Sequence, residues 1–113
     1  MHEMSLCEGV LQVIEDAAKA QSFDKVKTVW LEVGSLSGVE IKALEFCFEV
    51  VCRNSVAHDA ALEIIESPAQ AWCMQCAESV VINQRYDPCP MCEGHQLQVT
   101  GGDEMRIKEL EVV

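Results

Sequence analysis

The sequence predicts an α+β fold, in which a small three-stranded sheet packs with two helices and an inserted zinc-ribbon domain interrupts the chain before its last strand. Three observations predict it. Two segments carry apolar residues at helical spacing behind capping-box signatures, three short segments are rich in β-branched residues, and two CxxC pairs lie between the second and third of these. With 113 residues, half of them hydrophobic, the chain can bury one compact core with a small appendage.

Ser5 followed by Glu8 forms a capping box, and Leu6, Val10, Val13, Ile14, Ala17 and Ala18 recur at helical spacing, so the first helix is expected from about Leu6 to Ala20. A loop around Ser22–Asp24 leads to VKTVWLEV, whose Val29, Leu31 and Val33 alternate with Thr28, Trp30 and Glu32 as in a strand. Gly34–Gly38 reads as a turn. Ser37 and Glu40 then make a second capping box ahead of Ile41, Leu44, Phe48 and Val51, a helix expected to end near Arg53-Asn54. ALEIIES, bounded by Asp59 and Pro68, is the second strand. Met105, Ile107, Leu110 and Val112 form the third, with the alternation slipping at Glu109 as at a bulge. Between them CMQC, the strand-like SVVINQ, CPMC and HQLQVT offer little apolar surface to bury, so this stretch needs another source of stability. The expected division is residues 1–68 with 101–113 as an α/β domain and residues 69–100 as a zinc ribbon.

Composition narrows the functional classes. The net charge of −11 is spread along the chain, with acids outnumbering bases on both sides of the ribbon and within it, so no basic patch suited to nucleic-acid phosphates is present. Glu3, Glu8, Glu15 and Asp16 interrupt the opening segment, and the longest uncharged run is only Ser67–Ala77, which argues against export and membrane insertion. Seven cysteines without an export signal point to a reducing compartment, and the expected location is the cytoplasm. No Ser-His-Asp or glycine-rich phosphate signature occurs, so an enzyme is not expected.

Cys73 and Cys76 are repeated in spacing by Cys89 and Cys92 after twelve intervening residues, the arrangement in which two knuckles close a tetrahedron of thiolates around zinc. Soft sulfur donors favour zinc over hard cations, and four of them leave no open position for an activated water, so the ion would be structural. Cys7, Cys47 and Cys52 stand apart and read as small core hydrophobes, although Cys7 is near enough to His2 in sequence to assist a borderline metal.

The opening MHEMSLCE contains a second set of donors. The Met1 amine, the His2 backbone nitrogen and the imidazole Nδ1 can close fused five- and six-membered chelate rings, with the Glu3 carboxylate or a neighbouring amide in a fourth place. Such a tetragonal N,O set suits Ni(II) or Cu(II). The residues alone also allow a solvent-facing His2 with Glu3 serving only as an acid near a helix start.

Taken together these segments resemble the HypA/HybF family of hydrogenase nickel-insertion proteins, and the likeness covers nearly the whole chain. MHEMSLCE looks like the family's opening, VWLEVGSLSGVE and FCFEVVCRNSVA like its central strand and helix, and PAQAWCMQC with CPMC like its zinc knuckles. The resemblance implies a nickel metallochaperone that binds Ni(II) through His2 with help from Glu3. By the same likeness it would hold zinc at Cys73, Cys76, Cys89 and Cys92, and would act with a partner maturation GTPase on the large-subunit precursor of a [NiFe] hydrogenase. A homodimer or strand-swapped pair is left open. Many relatives carry histidines beside the CxxC pairs, whereas here Ala77-Glu78 follow Cys76 and only His95 lies near Cys92. His95 is either an alternate ligand or a loop residue, and His58 reads as surface loop. The rival reading is a zinc-ribbon interaction module in which the N-terminus plays no part.

Overall fold

A computed structural model of the chain describes residues 2–113. In chain order the elements are α1 (His2–Gln21), β1 (Val26–Gly34), α2 (Ile41–Val51), β2 (Ala61–Ser67), β3 (Ala69–Cys73), β4 (Glu78–Ile82), β5 (Leu97–Gly101) and β6 (Met105–Val112). They form two three-stranded sheets, ordered β2-β1-β6 and β4-β3-β5. The two helices and the first sheet are those the sequence predicts. The described residues gather into two compact units. One comprises residues up to Leu31 with Val39–Ile64 and Ile107–Val113, the other Glu32–Gly38 with Ile65–Arg106. Among the described residues no helix is long and apolar enough to cross a membrane.

In the first unit, α1 buries Glu3, Cys7, Val10 and Ile14, a stripe at spacings of four, three and four. Val13, expected on that stripe, lies to its side and is 55% exposed, while Cys7 takes an inward position. The helix also starts earlier than the Ser5–Glu8 signature suggested. It begins at His2, so Ser5 lies inside the helical segment rather than at its cap. The second capping box is corrected too. Glu40 itself is the N-cap of α2, its carboxylate accepting from the backbone N–H of Ala43 at 2.7 Å and of Lys42 at 3.4 Å. At the other end the helix stops at Val51, just short of the expected Arg53-Asn54, with Cys52 as C-cap donating its N–H to the Phe48 carbonyl.

Between the helices, β1 turns the chain back so that α2 runs alongside α1 in the same direction. Two bonds mark this, from the Cys7 thiol to the Leu44 carbonyl at 3.5 Å and from the Glu40 N–H to the Glu3 carboxylate at 3.2 Å, both joining residues 37 apart. The one buried polar residue of β1, Thr28, is satisfied by the Glu111 carboxylate of β6 at 2.8 Å. Burial along β6 alternates at Met105 and Ile107, then resumes at Leu110, so the phase slips across Lys108-Glu109.

The second unit contains a strand absent from the expectation. β3 lies at the centre of its sheet, antiparallel to both neighbours, with Trp72 opposite Ser79 on β4 and Gln98 on β5. Its inward residues are Ala69, Ala71 and Cys73, a small-residue alternation with little strand signal. The core here is correspondingly slight, comprising these three with Val80, Ile82 and Cys89. Nearby, Gly34 and Gly102 allow a close backbone crossing. Leu36 donates to the Gly102 carbonyl at 2.7 Å and Gly34 to the Glu104 carbonyl at 2.8 Å. Gly102 has φ +86°, and a Cβ there would meet the Pro68 carbonyl at 2.8 Å and the backbone of Ala69.

Two outcomes follow from these contacts. Gly102→Ala combines a left-handed backbone with a steric overlap, and should destabilise the chain by about 2–4 kcal/mol, read as a lower urea midpoint. The second concerns the buried thiols. Burial, then Cys47, Cys52 and Glu3, push the Cys7 thiol up to about 12, and burial with Glu15 pushes Cys52 up to about 11, from an ordinary 9.0. The folded chain therefore holds these protons more tightly than the unfolded chain does. Their contribution is complete below pH 9 and is lost as pH rises through about 11 to 12. Denaturation midpoints should fall across that window, and fall less steeply in Cys7→Val.

Candidate metal centre

Cys73 closes β3 and Cys76 lies in the turn that leads to β4, while Cys89 and Cys92 lie in the connection from β4 to β5. The pairing of Cys73 with Glu78 on one side and Leu97 on the other brings the two segments together. Each CxxC folds into the same turn. The N–H of Ala77 donates to the Cys73 carbonyl at 2.8 Å, and that of Glu93 to the Cys89 carbonyl at 2.8 Å. Ala77 and Glu93 both take positive φ, +54° and +61°, a conformation that costs a non-glycine residue on the order of 1 kcal/mol. The pseudo-duplication visible in the sequence is thus a repeat of backbone geometry.

These turns set the four sulfurs within 4.8 Å of one another. Cys73 Sγ lies 3.6 Å from Cys92 Sγ, and Cys76 Sγ 4.0 Å from Cys89 Sγ. A tetrahedron with metal–sulfur bonds of about 2.3 Å has edges of about 3.8 Å, so the donor set fits a zinc-sized ion. No disulfide competes, since all seven cysteines are free. Backbone N–H groups already point at the sulfurs, from Cys76 to Cys73 Sγ and from Met91 to Cys89 Sγ, each at 3.4 Å. The N–H groups of Cys92 and Met91 hold the Cys89 thiol down to about 7 against its burial. Proton sharing, first with Cys92, pushes Cys76 up to about 12. A cation at the centre would displace the shared protons and favour four thiolates. Cys73 and Cys89 are fully buried, Cys76 partly so, and Cys92 is exposed.

At the other donor set, His2 and Glu3 occupy the first turn of α1. The His2 side chain is 59% exposed, whereas Glu3 is buried, with 3.8 Å between His2 Nδ1 and Glu3 Oε2. The N–H of Glu40, then Glu3's own N–H, hold the Glu3 carboxyl below its ordinary value. First-turn N–H groups of a helix have no intrahelical acceptor, so the His2 backbone nitrogen is not engaged in the helix ladder. The Met1 amine of the proposed chelate lies outside the described residues. Glu40 was read from the sequence only as half of a capping box. Its backbone contact with Glu3 carried no signal in the sequence, because it depends on how the two helices are aligned.

The remaining candidates stand elsewhere. Cys7 is fully buried in the helix layer, hydrogen-bonded to Leu44. His95 is exposed and is not among the four clustered donors. His58 is also exposed, accepting from the Asn54 N–H at 3.1 Å and facing Asp59 at 3.5 Å.

Comparison with known proteins places this arrangement in a family. A family model described as "Hydrogenase/urease nickel incorporation, metallochaperone, hypA" matches residues 1–112. The chain is 63% identical over 112 residues to a hydrogenase maturation factor HypA of Albidiferax ferrireducens, and 61% to one of Rhodopseudomonas palustris strain BisA53, covering 99% of each chain in both cases. It is similar to the solution structure of the Ni metallochaperone HypA from Helicobacter pylori, with a TM-score of 0.73 and 26% identity over 98% of this chain and 97% of that one. A second HypA solution structure matches with a TM-score of 0.76 and 28% identity, over 100% and 97% of the two chains. With its two helices, its two small sheets and its four-cysteine centre, the chain belongs to the HypA family of nickel-incorporation metallochaperones.

Proposed function

We propose that this chain captures Ni(II) at its N-terminus and delivers it to the large-subunit precursor of a [NiFe] hydrogenase, in concert with a maturation GTPase. The observation that carries the reading is the exposed His2 imidazole at a helix start, beside a buried carboxylate, in a chain of this family. The Met1 amine, the His2 amide nitrogen and Nδ1 supply three in-plane donors, with Glu3 as helper. An exposed site favours hand-over, because an acceptor's ligands can reach the ion and displace these nitrogens one at a time. No bond of a substrate is made or broken, so the chain is a carrier and not an enzyme.

In this reading Cys73, Cys76, Cys89 and Cys92 hold a resident zinc that shapes residues 69–100 as a ribbon, while residues 1–68 with 101–113 handle nickel. Zinc bound by four thiolates supplies architecture and no activated water. Exposed apolar surface at Trp72 and Met91 offers docking contacts for the GTPase or the hydrogenase precursor. The family description names urease as well as hydrogenase, and the names of the relatives favour hydrogenase as the acceptor. Seven cysteines, four of them in paired CxxC spacing, support a reducing compartment, the cytoplasm, as the carrier's location in this reading. The rival, a ribbon module that binds protein partners without a nickel role, requires the N-terminus to be dispensable.

Calorimetric titration should show nickel binding lost in His2→Ala while elemental analysis still finds about one zinc per chain; normal titration in that variant rejects the nickel site. A short N-terminal extension should abolish hydrogenase activation in cells, and activation that survives it supports the module. Stripping zinc with a strong chelator should collapse the amide NMR signals of residues 69–100 and leave those of α1 and α2 in place. Ribbon signals unchanged in metal-free protein would remove the structural role of the ion.

A further inference from the structure

We infer that Cys92 is the sulfur through which ligand exchange at the four-cysteine centre proceeds, and that Gln75 is a positioning residue that clasps it. The inference rests on the zinc reading above. It starts from the unequal exposure of the four sulfurs. Exchange at a closed tetrahedral centre requires an incoming donor to reach the ion as one sulfur leaves. Cys73 and Cys89 are fully buried, Cys76 is partly buried and Cys92 is exposed, so approach is most open beside Cys92.

A side chain from the opposite knuckle stands at that position. Gln75, between Cys73 and Cys76, reaches across so that its Oε1 accepts from the Cys92 thiol at 3.4 Å. A metal-bound thiolate has no proton to donate. With an ion bound, rotation of the Gln75 amide about its last bond would present its NH2 to Cys92 and make the contact a charge-assisted N–H···S bond. Gly94 makes room for this. A Cβ at that position would fall on Gln75 Oε1 and would lie 3.3 Å from Gln75 Cδ and 3.4 Å from Cys92 Sγ. The glycine is in turn held in place by its carbonyl, which accepts from the Cys89 N–H at 2.8 Å. Gln75, Cys92 and Gly94 thus link the two CxxC turns on the side where the centre meets solvent. Partners of this kind around a metal site commonly change its affinity by 10–100-fold.

The test uses the full-length chain loaded with zinc, its metal content measured first. Zinc transfer to the chromogenic chelator 4-(2-pyridylazo)resorcinol is followed in time, and the first cysteine alkylated by iodoacetamide is mapped by mass spectrometry. Alkylation should begin at Cys92. Gln75→Met, which keeps the length and loses the amide, and Gly94→Ala, which displaces the amide, should each release zinc about tenfold faster, with zinc content and helical circular dichroism unchanged. Transfer rates within about twofold of the unaltered chain, or alkylation that begins at Cys76, would overturn the clasp while leaving the zinc reading intact. A chain that retains no zinc overturns both. The mapping on the unaltered chain decides the exchange position even where a variant fails to fold.

Discussion

Four sulfurs held within 4.8 Å of one another are the constraint around which the second unit is organised. Its core of two alanines, a valine, an isoleucine and two cysteines is too slight to order a region of this size by apolar burial alone. Two of the six core residues are themselves members of the tetrad, so packing and ligation are the same interaction seen from two sides. The left-handed turns at Ala77 and Glu93 fit this view. Each accepts a small backbone cost as its N–H closes onto the carbonyl of the first cysteine in its pair, in turns where the N–H groups of Cys76 and Met91 point at sulfur.

The helical unit solves a different problem. Its two helices run in one direction because β1 returns the chain between them, and their alignment places the start of one beside the start of the other. Glu3 links the two starts. It is buried, accepts from the Glu40 backbone and faces the His2 ring, while Glu40's own carboxylate closes the first turn of α2. Placement of His2 and Glu3 is therefore tied to the packing of both helices, not to the first few residues alone.

Much of the architecture was legible in the sequence because its signals are strong where the side chains are large. Val29, Leu31 and Val33 announced β1, ALEIIES announced β2 with the bounds it has, and the paired CxxC spacing announced the sulfur cluster. Legibility failed where small or polar residues carry the structure. β3 alternates alanine with glutamine and tryptophan, and its central place comes from pairing with two neighbours rather than from local preference. Both capping boxes were misread, since a Ser-x-x-Glu pattern marks a helix start only when the backbone turns at the serine. α1 begins upstream of Ser5, and α2 is capped by Glu40 in place of Ser37. Gln75 and Gly94 gave no signal, because their contact with Cys92 arises only when the two knuckles meet.

The three thiols outside the tetrad, Cys7, Cys47 and Cys52, are all buried, and both Cys7 and Cys52 keep their protons far into the alkaline range. A protonated sulfur shut away from water is a poor trap for a passing borderline cation. In a chain so rich in cysteine, this withholds three soft donors from competition, so that under the function proposed above a metal in transit would not be sequestered by its own courier.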